Sequence, residues 1–169
     1  TSIGNFAFRG CKLLSSIELP SNVLNIGEGA FFRNEALVKI KIPSSVTTIR
    51  DNAFTFCTAM TSIEVASDNQ NYASVDGVLY NKDKSILVKC PAKLSGSFAV
   101  PSTVTTISSS AFDGCEGLTS VEIPSSVTTI MKYAFRNCTN LDITIDNSES
   151  NVTVQLDAFK NCKSVTWKK

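Results

Sequence analysis

The stretch Leu118 to Cys138 reads LTSVEIPSSVTTIMKYAFRNC, and most of the chain consists of copies of it. An Ala-Phe doublet marks each copy, and steps of 23, 23, 58, 23 and 24 residues separate its phenylalanines, which are Phe8, Phe31, Phe54, Phe112, Phe135 and Phe159. A fixed period of this length is typical of repeat proteins, in which each unit buries its apolar face against its neighbours. The sequence therefore predicts one solenoid domain over residues 1–169. Units begin near residues 14, 37, 60, 95, 118, 141 and 165.

Each unit contains two extended segments and one turn. Val121 and Ile123 alternate with polar residues and precede Pro124, which is typical of a short strand that ends at a residue unable to donate to a ladder. The following segment, 127–130, is rich in β-branched residues and predicts a second extended piece with a bend. The Ala-Phe-x-x-Cys end of the unit predicts a single inward-pointing helical or 3₁₀ turn.

The third unit is longer than the others, because residue 60 to residue 95 is a step of 35. The additional residues, about 67–94, contain β-type runs at 77–80 and 85–90 around a polar turn. This pattern predicts a β-hairpin that replaces the back half of the coil. Its apolar residues are expected to continue a core made of uninterrupted columns.

Composition narrows the class of function. The chain has 43% hydrophobic residues, and 16 Lys plus Arg stand against 15 Asp plus Glu, so it lacks the basic footprint of a nucleic-acid-binding protein. There is no histidine, which removes the most common general base and zinc ligand. We therefore expect no catalytic residues, no metal, no cofactor, no nucleic-acid partner and no membrane insertion. Because the chain opens inside a unit, we expect a fragment of a longer protein.

The repeated pattern L-x-x-V-x-I-P-S-S-V-T-T-I-x-x-x-A-F-x-x-C resembles the BspA-like class of leucine-rich repeats, and the insertion NYASVDGVLYNKDKSILVKCPA is similar to one common in that family. The resemblance implies a right-handed, curved, β-rich solenoid, with parallel strands on the concave side and short strands and turns opposite. It also implies a secreted or cell-surface protein of adhesin type, with fibronectin or fibrinogen as possible extracellular matrix partners. No catalytic residues come with the family.

The cysteines allow two interpretations. Five of them follow the repeat phenylalanine by three residues and form a ladder: Cys11, Cys57, Cys115, Cys138 and Cys162. Neighbouring coils would place their Cα atoms about 5 Å apart, which permits disulfides or a metal stack. Alternatively, they are buried free thiols that pack as small hydrophobes. Asn34 occupies the same position and can neither bridge nor supply a thiolate, so we favour packing plus a backbone hydrogen bond. Cys90 is expected to lie outside the ladder, unpaired in the hairpin.

The outward positions of the first strands are the candidate ligand-binding residues. They are small polar or charged residues in two neighbouring rows, namely Ser16, Glu18, Lys39, Lys41, Ser62, Glu64, Ser120 and Glu122. Solenoids usually bind partners on such extended faces. Alternatively, the charged members form a cross-strand ladder for solubility and register, worth about 0.2–1 kcal/mol per pair.

Three functions remain open from the sequence. The first is an adhesin-like interaction protein that binds a protein ligand through the strand face or the hairpin. The second is a rigid spacer that presents another domain. The third is a carbohydrate-binding module, which would need exposed aromatic platforms, and only Tyr72, Tyr80 and Trp167 are candidates.

Overall fold

The computed structural model describes residues 1–168, so Lys169, the last residue of the predicted solenoid, lies outside the described residues. Short strands, numbered in chain order, dominate it: β1 (Ser2–Ile3), β2 (Ser16–Ile17), β3 (Asn25–Ile26), β4 (Lys39–Ile42), β5 (Thr48–Ile49), β6 (Ser62–Val65), β7 (Tyr72–Val75), β8 (Val78–Asn81), β9 (Ile86–Lys89), β10 (Gly96–Ala99), β11 (Thr106–Ile107), β12 (Leu118–Ile123), β13 (Thr129–Ile130), β14 (Asp142–Ile145), β15 (Thr153–Val154) and β16 (Ser164–Trp167).

The strands stack in two parallel series, which confirms the predicted solenoid. The first series contains the sheets β2-β4-β6 and β10-β12-β14-β16, and the second contains β1-β3-β5 and β15-β13-β11-β9-β8-β7. Each coil runs from the first series to the second and then through the Ala-Phe turn. We number the coils from β2, so that coil three contains the insertion. Pairings such as Ile40 with Ile63 and Val121 with Ile143 place equivalent apolar residues side by side.

The second strands are shorter than predicted. In coil five, the strand covers Thr129–Ile130 only. The backbone N–H groups of Thr128 and Thr129 both donate to the Thr105 carbonyl, at 3.0 and 3.2 Å. Because both N–H groups share one acceptor, the regular hydrogen-bond ladder between the strands is interrupted there. The expected bend therefore lies before the strand, and only the last two residues of segment 127–130 are in the strand.

The turns differ from the predicted helical or 3₁₀ turn. Hydrogen bonds from residue i+3 to residue i are present, but two residues in each turn adopt φ between 54° and 74° and break any helix. One precedes the alanine: Phe6, Gly29, Asn52, Ser110, Tyr133 or Asp157. The other precedes the cysteine position: Gly10, Arg33, Phe56, Gly114, Asn137 or Asn161. Within residues 1–168 the one 3₁₀ helix is Glu149–Asn151, in the residues added to coil six.

The insertion forms three antiparallel strands, so the predicted two-stranded hairpin is incomplete. β8 and β9 match the predicted runs, whereas β7 is additional and pairs with β8 from Tyr72–Asn81 to Val75–Val78. β9 takes the place of the missing second-series strand, because it pairs in parallel with β11. We call β7-β8-β9 the meander. The meander pairs in a sheet with β11 of coil four but not with β5 of coil two, so the second series is interrupted before coil three. The first series is interrupted after coil three, between β6 and β10.

The core consists of two clusters and not of uninterrupted columns. The first runs from Val23 to Ile63 and includes Leu79, and the second runs from Val78 and Tyr80 to Ala158. Alternate residues of a strand point to opposite faces, so β8 is the wall that the two clusters share. Stacked rings follow the same division, with Phe8, Phe31 and Phe54 on one side.

Cys90 is a free thiol outside the cysteine ladder, as expected, but it follows strand β9 and belongs to the turn of the repeat. Its N–H donates to the Ala111 carbonyl at 2.8 Å, as the N–H of Phe112 does to Ala134 in the next coil. Cys90 therefore occupies the phenylalanine position of coil three, and Lys89 occupies the alanine position. Among residues 1–168, no helix is long and apolar enough to span a membrane.

Candidate functional site

The exposed face of the first series carries most of the predicted ligand-binding residues. Pairing aligns Ser16, Lys39 and Ser62 in one row, and Lys41 opposite Glu64 in the next. Glu18 follows β2 directly. Six of the eight side chains are exposed, while Ser62 and Ser120 are half-buried.

The meander covers Ser62. The Gly77 carbonyl accepts a hydrogen bond from the Ile63 N–H, and a Cβ on Gly77 would lie 2.8 Å from the Ser62 Cβ. The Ser62 hydroxyl is buried without a partner in the part of the chain that the structure describes. Ser62 therefore does not belong to an open binding surface, contrary to the expectation from its place in the row.

This covering divides the predicted face into two patches, because β6 and β10 belong to different sheets. The N-terminal patch comprises Ser16, Glu18, Lys39, Lys41 and Glu64. The C-terminal patch comprises Ser120 and Glu122 with their register neighbours Ser97, Asp142 and Thr144. The eight predicted residues are thus not one continuous site.

The two patches differ in that only the C-terminal patch contains an ion-paired charge among residues 1–168, although its Glu122 forms no ion pair there. In the C-terminal patch, the Lys163 ammonium lies 2.6 Å from the Asp142 carboxylate and holds the pKa of that carboxyl below its usual value. In the N-terminal patch, no ion pair involves Lys39, Lys41 or Glu64 within residues 1–168, although Lys41 and Glu64 face each other across the sheet. Direct ion pairing therefore does not account for these charges.

The six cysteines are free thiols, and the four buried ones, Cys57, Cys90, Cys115 and Cys138, pack inside the turns. The Sγ–H groups of Cys57, Cys138 and Cys162 donate to the phenylalanine carbonyl of the preceding coil, at 3.2, 3.0 and 3.1 Å. Burial raises the pKa of Cys57 to about 11 and that of Cys138 still further. These groups are protonated at neutral pH, which makes them poor nucleophiles.

Asn34 does not make the hydrogen bond expected at the cysteine position. Its side chain is fully buried, and neither amide atom has a partner among the described residues. Asn34 therefore does not support the interpretation that the cysteine column packs and does not form disulfides, and this interpretation rests on the free thiols.

The sequence reasoning did not identify an arginine–aromatic strip along the turns. Guanidinium groups lie 4.4–5.8 Å from ring centroids. The members are Phe6, Arg9, Phe32, Arg33, Phe56, Tyr133 and Arg136. Four of them have left-handed backbones, which cost about 1–2 kcal/mol each for residues with a Cβ. The recurrence of Arg directly after Ala-Phe, at Arg9 and Arg136, was the available sequence signal.

The aromatic candidates for a carbohydrate platform are not exposed. Tyr80 is 2% exposed and belongs to the core. The Tyr72 hydroxyl accepts a hydrogen bond from the Ile49 N–H at 2.8 Å, and Trp167 is half-buried. None of the three therefore offers an open ring for sugar stacking.

Known proteins share both the repeat and the fold. A leucine-rich repeat protein from Eubacterium ventriosum superposes with a TM-score of 0.69 at 29% identity, over 96% of this chain and 57% of that one. A T. pallidum leucine-rich repeat protein gives 0.60 at 26% identity, over 96% and 70% of the two chains. The pneumococcal vaccine antigen PcpA gives 0.65 at 24% identity, over 98% and 50%, and shares the fold.

This chain thus spans about half the length of two of these proteins. No curated protein sequence matches it significantly. Residues 1–77 and 89–167 match the BspA type leucine-rich repeat region, in six copies. The unmatched residues between these two ranges, 78–88, are the centre of the meander. The chain belongs to the BspA-type leucine-rich repeat family.

Proposed function

We propose that the chain is a non-catalytic, adhesin-like interaction module of a secreted or cell-surface protein, and that it binds an extracellular matrix protein such as fibronectin or fibrinogen through the N-terminal patch. One observation carries the proposal. Lys39 and Lys41 are exposed and two residues apart on the central strand of a three-stranded sheet, and neither forms an ion pair with a carboxylate within residues 1–168.

Unpaired charges in fixed register suit recognition of a protein surface. A sheet presents its outward side chains at regular spacing, so two lysines on one strand can meet a pair of acidic groups without rearrangement. Such charges increase the association rate and the specificity more than they increase raw affinity. The proposed partner therefore offers an acidic segment, and its binding depends on salt concentration.

The chemistry of the chain supports a role without catalysis. There is no histidine in the sequence. Desolvation raises the pKa of the buried Cys57 thiol to about 11, and the thiol is held in a hydrogen bond to the Phe31 carbonyl. Membership in a leucine-rich repeat family is consistent with protein binding.

The test is surface plasmon resonance of the chain against immobilised fibronectin and fibrinogen. A Lys39→Glu/Lys41→Glu variant should lose about tenfold or more in affinity, because each substitution replaces attraction by repulsion. Lys84→Glu/Lys132→Glu makes the same change in net charge away from the patch and should bind like the original chain. Equal losses in both variants would contradict the patch as the interface.

Other outcomes point to the remaining functions. If both matrix proteins and a wider panel of host proteins fail to bind, a rigid spacer that presents another domain becomes the better account. Saturable binding of neutral glycans would favour the carbohydrate-binding module. Antibody labelling of intact cells that express the full-length protein tests the proposed surface location, and labelling only after lysis would contradict it.

A further inference from the structure

The turn of coil two has backbone donors that the repeat normally satisfies. In coils one, four and five, three N–H groups of each turn donate to carbonyls of the next coil; for example, Phe31 donates to Ala53, Phe112 to Ala134 and Phe135 to Ala158, at 2.7–2.8 Å. The equivalent donors of coil two are the N–H groups of Asn52, Phe54 and Phe56. None of them donates a hydrogen bond to any part of the chain that the structure describes.

The cause is the meander, which replaces the facing turn. Coil three passes this point with Lys89-Cys90-Pro91 in place of a complete Ala-Phe turn. Coils two and four consequently meet directly, with the Ser110 hydroxyl donating to the Asn52 side-chain oxygen at 3.0 Å. A gap remains beside this contact.

Lys89 brings a cation into this gap. It is 6% exposed, and its ammonium group donates to the Ser110 carbonyl at 2.9 Å. No carboxylate forms an ion pair with it within residues 1–168. A buried ammonium ion that lacks a counterion is costly, so a feature of this kind calls for an anion.

A second donor in the gap has no partner. Ser109 is 8% exposed, and its hydroxyl is buried without a hydrogen bond among the described residues. Buried polar groups in folded proteins are nearly always satisfied, if not by protein then by water or a ligand. The hydroxyl of Ser109, the ammonium of Lys89 and the free N–H groups of Asn52 and Phe54 all belong to residues that line one cleft.

The cleft has a volume of about 290 Å³ and is partly open to solvent. Its charged lining residues are Arg50, Lys89 and Asp51, two cations against one carboxylate, for a net charge of +1. Ile49, Tyr72 and Val88 form an apolar wall. This combination suits a small organic anion better than a bare inorganic ion, because the wall can cover a carbon skeleton.

We propose that this cleft binds a small organic carboxylate of the size of one acidic sugar unit. The carboxylate takes the position of the missing coil-three turn, where it accepts hydrogen bonds from Lys89, Ser109 and the free N–H groups of coil two. The body of the ligand rests against the apolar wall. The site is separate from the N-terminal patch, so its test is independent of matrix-protein binding.

Glucuronate, glucose and acetate are the probes, titrated into the chain and followed by NMR of backbone amides. Glucuronate should bind saturably and shift the Asn52 and Phe54 amides. Acetate should compete with it, and glucose, which lacks the carboxylate, should not bind. Equal binding of glucose, failure of acetate to compete, or no saturable binding of glucuronate would overturn the proposal.

Variants test the assigned groups. Lys89→Met should weaken glucuronate binding by about tenfold or more, the loss expected for one charged hydrogen bond. Lys93→Met, an exposed lysine outside the cleft, is the matched control. Asp51→Asn changes an exposed side chain and should tighten binding about two- to fivefold by removing repulsion. If Lys89→Met does not fold, Asp51→Asn and Ser109→Ala decide the matter, and unchanged affinity in both would overturn the assignment.

Discussion

The substitution Asn34→Cys should make the chain more stable, because it restores the repeat at a position where the native residue is unsatisfied. Asn34 is 0% exposed, and both of its amide atoms lack partners among the described residues. In three other coils the cysteine at this position donates to a phenylalanine carbonyl. The equivalent acceptor for residue 34 is the Phe8 carbonyl, which accepts one backbone hydrogen bond, from the Cys11 N–H.

The magnitude follows from the cost of the buried amide. Leaving a buried polar group without a partner costs about 1–3 kcal/mol, and a thiol at this position packs as a small hydrophobe with a weak donor. The free energy of unfolding should therefore rise by about 1–3 kcal/mol. For a domain of this size, this corresponds to a melting temperature about 2–12 °C higher.

Urea denaturation followed by circular dichroism under reducing conditions measures the change, with equal slopes required for the comparison. Asn34→Ala is the control, since it removes the amide but leaves a gap and no donor, and it should gain less than Asn34→Cys. The reverse change, Cys57→Asn, should lose about 1–3 kcal/mol. An Asn34→Cys variant no more stable than the original chain would refute this account of the cysteine column.

Three further predictions concern the core and the thiols. Phe112→Ala should cost about 3–5 kcal/mol in a thermal or urea melt, because Phe112 is fully buried and stacks on Phe135 at 4.6 Å; no loss would remove it from the core. Iodoacetamide at neutral pH should modify exposed Cys11 rapidly and leave buried Cys57, Cys90, Cys115 and Cys138 intact until urea is added, with intact mass as the measurement; rapid modification of all six would contradict the packing. Burial raises the pKa of Cys57 from its ordinary value of 9.0 to about 11, so stability should fall as pH rises from about 9 to 11, because the stabilisation is complete only below the unfolded pKa. Urea midpoints at pH 8 and 10 should show a smaller fall in Cys57→Ala than in the original chain.

Periodicity predicted the parts of the fold that every coil repeats. The Ala-Phe doublet and the alternation of Val121 and Ile123 correctly indicated stacked parallel strands, because burial against equivalent neighbours requires the same residue type in each coil. The backbone conformation of the turns could not be predicted from the sequence. Bulky residues such as Phe56 and Tyr133 adopt left-handed backbones that sequence reasoning assigns to glycine.

The insertion was predictable as a β-structure but not in its consequences. β7 was not predicted, because its four residues, Tyr-Ala-Ser-Val, form a short strand whose side chains are half-buried or exposed and show no clear alternation. Lys89-Cys90 shares no apolar pattern with Ala-Phe, so its place in the turn column could be recognised only from hydrogen bonding. The division of the candidate surface into two patches could not be predicted either, because no local sequence signal shows that Gly77 lies over Ser62.

Amide hydrogen exchange tests most directly the central claim that the meander interrupts the solenoid and leaves coil two with free donors. The amides of Phe31, Phe112 and Phe135 are hydrogen-bonded to the next coil and should exchange slowly. The amides of Asn52 and Phe54 should exchange far faster, although Phe54 is just as deeply placed in its turn. Comparable protection of Phe54 and Phe31 would contradict the account, because it would mean that the ladder continues through coil three.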